Sequence, residues 1–321
     1  MQDYDKAIEI LNEGKTELEH KDFERFFKEK AILYDLLSQC YIHKKLEEEA
    51  YKAMLISVFN DLYAINNTHS NLFEFYSFRN FNDFSLSDIE NETISLCSPQ
   101  NFNDPVDTAF NAWMHYKYEV ASEGFERDYI EIQCKAYNNI RVRCLVRNIP
   151  LPYKEGKDYP IQLDFQKEYA NSVMWAHYAN NHQGFCVKFK IPSQFTMTEP
   201  NEGKVIMLMP INYTERLSII NFGNSISNIS FKEAFLTKQK IWEYEHEHRI
   251  LYYNKNGSED FPSLPLPKGS IVAIYLGVRC SDDNKQKIFN LIKNKSNVEV
   301  YQMQISSEDI YKLKSLRVDR K

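Results

Sequence analysis

The residues best suited to chemistry lie in one stretch, residues 237–254, which reads TKQKIWEYEHEHRILYYN. Read with a period of two, its aromatic and histidine side chains fall on one face and its charged side chains on the other. The charged face carries Glu243, Glu245, Glu247 and Arg249. Because residues i and i+2 of a strand project from the same face, this spacing predicts a row of charges on one strand. Like charges so close together need a counter-charge, a partner or a proton.

Two interpretations of this charged row stay open. In the first, the row is a surface strand of ion pairs, Glu243 with Lys238 or Lys240 and Glu247 with Arg249, and each pair adds little stability. In the second, neighbouring aromatic side chains such as Trp242 remove the row from water and raise the pKa values of its carboxylates. Glu245 and Glu247 are then the predicted catalytic residues.

Two motifs upstream carry further polar side chains. In FNDPVD, Asp104 and Asp107 either form a proline-containing turn or point into a pocket beside the acidic strand. In MWAHYANNHQGFCVKF, His177 lies between Trp175 and Tyr178. It is either a structural histidine or a third catalytic residue, because the ordinary pKa of histidine suits proton transfer near neutral pH.

The elements that must position these residues follow from the periodicity of the apolar residues. Residues 1–66 lack proline and repeat their apolar residues at three and four, which predicts three helices with breaks at about residues 14–22 and 43–46. Later helices are predicted after Ser85 as N-cap, within 108–147, and over 164–178, 231–240 and 282–295. Strands are predicted at 72–78, 93–97, 140–146, 184–191, 205–213, 242–253, 271–276 and 298–304.

These elements predict an α+β fold, with a mixed, largely antiparallel sheet, flanking helices and an N-terminal helical segment. We expect two units, a helix hairpin or small bundle at residues 1–66 and an α+β domain at 67–321 that carries the site. The N-terminal helices are candidates for dimerisation or partner binding. The proline-bearing loop at 147–160 is a candidate lid.

Composition narrows the class of protein. The chain has 321 residues, 43% of them hydrophobic, and a net charge of −6, which argues against a broad nucleic-acid-binding surface. No apolar run is long enough to span a membrane, and the N-terminus lacks signal-peptide features. The six cysteines are widely spaced, without a CxxC pair, which predicts reduced thiols in a cytoplasmic protein.

Four motifs in order resemble a known bacterial family. They are FYSFRNFN leading to LCSPQNFNDPVD, then MWAHYANNHQGFCVKF, KQKIWEYEHEHRI and IYLGVRCS. Together they resemble domain of unknown function 2971 over about residues 72–304, with residues 1–66 outside. The chain departs from the family pattern at His248, where a bulky apolar residue is usual, and at Val106, where an aromatic is common. The family brings no assigned chemistry, and its small stand-alone members suggest a toxin or phage-defence effector.

The first functional hypothesis is a transferase of the ADP-ribosyl type that uses NAD. The order of elements is similar to compact ADP-ribosyltransferase folds, in which an early strand, a second strand and a late strand with an ExE-like pair face the donor. A carboxylate is needed because the transition state carries positive charge at the ribose. The residues expected to bind substrate are Tyr76, Arg79, Ser98, Asp104, Asp107, Trp175, Tyr178, Trp242 and Arg249.

Two alternatives remain. A metal-dependent nuclease would use Asp104, Asp107, Glu245 and Glu247 to hold Mg²⁺ at a phosphodiester. A non-enzymatic binding or regulatory module would instead use the N-terminal helices to recruit a partner, with the acidic row simply paired. Loops of the kind that cradle phosphates in P-loop and Rossmann proteins are absent from the sequence.

Overall fold

The computed structural model describes residues 3–19, 27–66, 73–104, 107–108, 124–147, 171–191, 203–215, 231–257 and 261–319. The candidate lid beyond residue 147 and the first part of the helix predicted at 164–178 lie outside these ranges. In the described part of the chain, no helix combines the length and the apolar character that crossing a membrane requires.

The helices near the N-terminus are α1 (Tyr4–Glu19), α2 (Phe27–His43) and α3 (Glu47–Asn66). The break predicted at residues 43–46 is confirmed, and the chain turns there with Lys45 at a φ of 58°. The break predicted at residues 14–22 is wrong for residues 14–19, because α1 continues through Gly14 to Glu19, and residues 20–22 lie outside the described ranges. A single glycine lowers helix stability without ending a helix whose other side chains pack well.

The remaining helices flank the sheet. They are α4 (Asp83–Asn91), α5 (Phe125–Tyr137), α6 (Ser172–Tyr178), α7 (Phe231–Leu236) and α8 (Asp282–Leu291). The side chain of Asn82 accepts the amide of Ser85 and caps α4, so the prediction of Ser85 as N-cap is wrong by three residues. Helix α8 begins where predicted, after the Ser281 cap, and ends at Leu291 instead of residue 295.

Twelve strands complete the described fold. They are β1 (Phe73–Arg79), β2 (Thr93–Ser95), β3 (Arg141–Val146), β4 (Phe185–Ile191), β5 (Lys204–Pro210), β6 (Asn212–Thr214), β7 (Thr237–Gln239), β8 (Glu247–Asn254), β9 (Ser263–Pro265), β10 (Ile271–Leu276), β11 (Glu299–Ile305) and β12 (Leu313–Arg317). Eight of them form one sheet in the order β12-β11-β10-β4-β1-β3-β8-β5, in which only β10 and β11 are parallel. This sheet and its helices confirm the predicted α+β class.

Each face of the large sheet is covered by helices. On β8, Leu251 and Tyr253 pack into a cluster with α3, α5 and α7, whereas Ile250 and Tyr252 pack with residues of α4 and α8 on the opposite face. This alternation is what a strand buried on both faces requires. The hydroxyl of Tyr253 also donates to the carbonyl of Leu55 at 2.9 Å, which ties α3 to the sheet.

The strand predicted at residues 242–253 is partly wrong. Residues Lys240–Glu245 form a 3₁₀ helix, His246 takes a φ of 47°, and only Glu247–Asn254 is strand. Contacts with Lys238 favour the 3₁₀ helix over a strand. Residues three apart lie on the same side of a 3₁₀ helix. This places both Trp242 and Glu245 against the Lys238 ammonium. The helix predicted at 231–240 likewise ends at Leu236, where β7 begins.

The sheet splits between β1 and β3. Strand β1 pairs with β4 along its whole length, but with β3 only at Tyr76 and Val146. At the other end of β3, Cys97 bridges Val142. The two strands therefore diverge and leave a cavity between them.

Candidate active site

The cavity in the split sheet has a volume of about 420 Å³. Its walls come from Tyr76 to Phe78 of β1 and Val142 to Val146 of β3, together with Cys97, Asn101 to Asn103 and parts of α6. Lys238, Glu245 and Glu247 also border it. Its size falls within the range of about 300–1,000 Å³ typical of small-molecule sites.

A buried lysine lies at the centre of the acidic residues. The Lys238 ammonium is 2.8 Å from an Asp107 carboxylate oxygen, 2.6 Å from Glu245 and 3.1 Å from Glu247. It also lies 5.0 Å from the centroid of the Trp242 ring, a cation–π contact. The positive charge of the ammonium offsets the repulsion that the sequence alone predicts among the carboxylates around it.

Arg249 is a second buried cation in the same cluster. Its Nε donates to Glu247 at 2.6 Å, its Nη1 donates to the carbonyl of Phe235 at 2.8 Å, and its Nη2 binds Asp107. The guanidinium also stacks near the ring of Phe102, 5.4 Å from its centroid. Arg249 is fully buried, so these bonds replace the water that the guanidinium gives up.

Local structure fixes the position of each charged group. Lys238 lies on β7, which pairs in parallel with β6 and brings the Tyr213 hydroxyl to accept the Glu247 amide at 2.8 Å. The N-cap of α6, Asn171, donates to the carbonyl of Tyr244 at 3.3 Å. Helix α6 is thereby joined to the 3₁₀ helix, and the Tyr178 hydroxyl donates to Glu245 at 2.5 Å.

The environment shifts the two glutamates in opposite directions. Burial raises the pKa of Glu245, and the neighbouring Glu247 adds to this, although Lys238 opposes both effects. Burial also acts to raise the pKa of Glu247, but the charges of Arg249 and Lys238 outweigh it and lower this pKa to about 2. Glu247 therefore stays ionised, and Glu245 is the stronger base of the two.

A second buried ion pair lies behind β1. Arg79 Nη1 binds Asp88, whose carboxylate also accepts the Ser95 hydroxyl at 2.7 Å and the Thr93 hydroxyl at 3.0 Å. Arg79 Nε donates to the Ser77 hydroxyl at 3.3 Å. Arg79 thus fixes α4 and β2 beside β1, and it does not line the cavity.

The structure brings together only part of the predicted site. Glu245, Glu247, Asp107 and Arg249 form the charged cluster, and Tyr178 contacts it through Glu245. Tyr76 lines the cavity. The prediction that these residues catalyse or bind substrate stays a prediction.

Of the other predicted residues, Trp242 contacts the cluster through the Lys238 ammonium, and the rest make contacts elsewhere. Ser98 caps the 3₁₀ turn Pro99–Asn101, and the Asp104 carbonyl accepts the Asp107 amide at 3.1 Å. Trp175 is fully buried against Phe78. His177 is exposed, 3.4 Å from the Tyr244 hydroxyl and next to the Trp242 ring, so Tyr178 and not His177 provides the contact with Glu245.

Sequence reasoning missed two cations. From the sequence, Lys238 is only a surface partner of Glu243. Its place two residues after a helix and seven before Glu245 is the signal that could have marked it as part of the acidic motif. Arg143, which lines the cavity from β3, was read only as part of an alternating strand. The available signal was that Arg143 alternates with apolar residues, because this pattern places a charged side chain on a buried strand.

The described residues contain no group of three or more His, Cys, Asp or Glu side chains arranged to hold a metal. The oxygens of Asp107, Glu245 and Glu247 are directed at Lys238 and Arg249 instead. These carboxylates are thus already bound by cations of the chain itself.

Fold and site together define an α+β protein with a split sheet and a buried charged cluster at the edge of a cavity. Residues 174–250 match the family described as Protein of unknown function (DUF2971). This match supports the resemblance read from the motifs and covers the two central ones, while the predicted span of 72–304 is wider. No curated protein and no solved structure matches the chain.

Proposed function

We propose that this protein is an enzyme that transfers ADP-ribose from NAD, with the reaction in the cavity between β1 and β3. One observation carries the proposal: the ExE pair Glu245 and Glu247 borders the same cavity as Tyr76 of the early strand β1 and Cys97, which follows β2. This is the layout expected of compact ADP-ribosyltransferases, in which an early strand, the end of a second strand and a late ExE pair surround one pocket.

The two glutamates suit two different roles in this reaction. When the bond between ribose C1′ and the nicotinamide nitrogen breaks, its electron pair leaves with nicotinamide and positive charge develops on the ribose. Glu247, ionised and held by Arg249 and Lys238, stabilises that charge. The acceptor oxygen or nitrogen then bonds to C1′ and passes its proton to Glu245, whose raised pKa makes it the better base.

The cavity also supplies the apolar surface that a nucleotide needs. Tyr76 and Phe78 line one wall, and Met174 lines another. The aromatic side chains offer faces against which the nicotinamide ring can stack. The volume of about 420 Å³ fits the reacting half of the donor, with the rest extending through the opening.

The test is the release of nicotinamide from NAD by the full-length protein, with water or a cell lysate as acceptor. Glu247→Gln should reduce the rate by at least about 100-fold, because a charge that stabilises the transition state is lost. Glu245→Gln should reduce it by about 100-fold or more. Glu243→Gln is the matched control, because Glu243 is exposed, and it should keep the rate. A wild type without nicotinamide release, or a fully active Glu247→Gln variant, would overturn the proposal.

A role as an effector in toxin or phage-defence systems, expected from the family resemblance, belongs to the same proposal. An enzyme that consumes NAD depletes a metabolite that every cell needs. Expression of the wild type in a bacterial host should therefore stop growth, and expression of Glu247→Gln should not. Equal growth inhibition by both would contradict this role.

A further inference from the structure

Arg143 is a cation at the cavity without a carboxylate partner among the described residues. Its Nη2 donates to the Ser77 hydroxyl at 3.0 Å, and its Nε is buried with no hydrogen-bond partner. Arg143 differs in this from its charged neighbours, because Arg249 and Lys238 pair with the acidic cluster and Arg79, behind β1, pairs with Asp88. An unpaired guanidinium in a buried position costs stability, because its lost hydration is not replaced.

A second guanidinium lies close to Arg143. The same Ser77 hydroxyl accepts Arg79 Nε at 3.3 Å, and Arg79 Nη2 is also buried without a partner. Among the described residues, Arg79 and Arg143 lie near one carboxylate, that of Asp88, which leaves one positive charge in excess beside β1. Burial, and secondarily the charge of Arg79, lowers the pKa of Arg143 to about 9, so it remains a cation at neutral pH.

Other residues of the same cavity provide further donors for an anion. Asn80, Asn101 and Asn103 line the same cavity with exposed amide side chains. Guanidinium and amide N–H groups are the donors that proteins use for phosphate oxygens, the guanidinium often with two bonds at once. The acidic cluster repels anions, so an anion in this cavity is favoured on the Arg143 side.

We infer that Arg143 and Ser77 form an anion subsite that binds the diphosphate of a dinucleotide, on the opposite side of the cavity from the Glu245 and Glu247 pair. The subsite follows from the unpaired guanidinium alone, whereas its assignment to a diphosphate rests on the proposed function. In this arrangement the phosphates bind at β3 and β1, and the reacting ribose lies toward β8.

The test is calorimetric binding to full-length protein with three probes: ADP-ribose, adenosine without phosphate, and inorganic pyrophosphate. Arg143→Gln should weaken ADP-ribose binding about 10- to 100-fold, as expected for the loss of charge-assisted hydrogen bonds. Adenosine binding should not change, and pyrophosphate should compete with ADP-ribose only in the wild type. Arg143→Lys should restore part of the affinity. Arg317→Gln, which removes an exposed arginine at the sheet edge, is the matched control.

Melting temperature separates a binding role from a structural one. If Arg143 is held for an anion, Arg143→Gln melts at the same or a higher temperature without ligand, because an unpaired buried charge is gone. A lower melting temperature together with unchanged ADP-ribose affinity would overturn the subsite, as would pyrophosphate that does not compete with ADP-ribose in the wild type. Nicotinamide release by the wild type with an unchanged KM in Arg143→Gln would overturn the subsite but keep the proposed function. If Arg143→Gln loses ADP-ribose binding and the wild type releases no nicotinamide, the subsite is kept and the proposed function is overturned.

Discussion

At the scale of single residues, the acidic motif is organised by a cation that comes before it in the chain. Lys238 contacts the carboxylates of Asp107, Glu245 and Glu247, and these attractions raise its pKa well above the ordinary value despite the opposing effect of burial. Three acidic groups can therefore lie within one cluster at neutral pH. The position of Glu245 against the cavity depends on this lysine.

Replacing Lys238 with methionine should strongly destabilise the protein. The variant keeps the apolar stem but leaves buried carboxylates facing each other, and breaking a buried ion pair from one side costs about 3–5 kcal/mol. Urea unfolding of the two proteins measures the difference. Lys240→Met is the matched control, because Lys240 is exposed and pairs only with exposed Glu215, and it should change the free energy of unfolding by less than about 0.5 kcal/mol. Equal stability of both variants would contradict the central role of Lys238.

His248 lies on β8, between Glu247 and Arg249 in the chain. It is buried beside the Phe75 ring, 5.4 Å between centroids, and its Nδ1 has no hydrogen-bond partner. Burial, with a further contribution from Arg147, lowers its pKa from 6.5 to about 4. The folded protein therefore holds His248 neutral in a range where the unfolded chain protonates it.

This lowered pKa predicts a pH-dependent benefit of His248→Phe. The unfolded state gains a proton below pH 6.5 and the folded state only near pH 4, so the contribution of His248 is present above pH 6.5 and is lost as pH falls through that window. The loss approaches about 3 kcal/mol at the acidic end. The stability difference between His248→Phe and wild type, from urea unfolding at pH 4.5, 5.5 and 7.5, should thus grow as pH falls. A difference that is independent of pH would contradict the shift, and His177→Phe at an exposed site is the control.

At the scale of elements, two glycines explain part of the shared motifs. Gly184, just before β4, and Gly277, just after β10, meet through a backbone hydrogen bond of 2.9 Å. A Cβ on Gly184 would lie 2.1 Å from the carbonyl oxygen of Arg79, and one on Gly277 would lie 2.1 Å from that of His182. The ends of β1, β4 and β10 can approach this closely only without side chains.

Gly184→Ala should therefore destabilise the fold by about 1–3 kcal/mol or more, because the clash is with backbone that cannot rotate away. Gly14→Ala is the matched control. There the added Cβ meets only a Leu33 methyl at 3.4 Å inside a helix, so the same substitution should be neutral or stabilise by about 0.5–1 kcal/mol. Thermal unfolding measures both. A Gly184→Ala variant as stable as the wild type would show that the strand ends can separate.

At the scale of the whole molecule, the sequence predicts the elements better than the arrangement that forms the site. Strands β1, β4 and β10 were predicted because their apolar runs are bounded by loop residues. The cavity cannot be predicted in the same way, because it depends on how β1 and β3 diverge. Pairing between distant strands has no local signal in the sequence. The same holds for Lys238, whose partner Asp107 is 131 positions away in the chain, as the numbering shows.

The N-terminal helices are also more closely joined to the rest than their sequence suggests. Ala50, Met54 and Val58 of α3 share one apolar cluster with Tyr253 of β8. The division of the chain at residues 66 and 67, and a role of these helices in dimerisation or partner binding, stay predictions. Helix α3 packs against Leu251 and Tyr253, which lie on the same face of β8 as Glu247 and Arg249, so this helix supports the strand that carries the two charged residues.

The most direct measurement of the central claim is a crystal structure of the Glu247→Gln variant with NAD. The substitution slows the reaction, so the donor remains intact, and it changes little in volume. The account predicts density for the nicotinamide and its ribose in the cavity between β1 and β3, with the ribose hydroxyls within hydrogen-bond distance of residue 247. NAD bound elsewhere on the molecule, or an empty cavity at millimolar NAD, would contradict it.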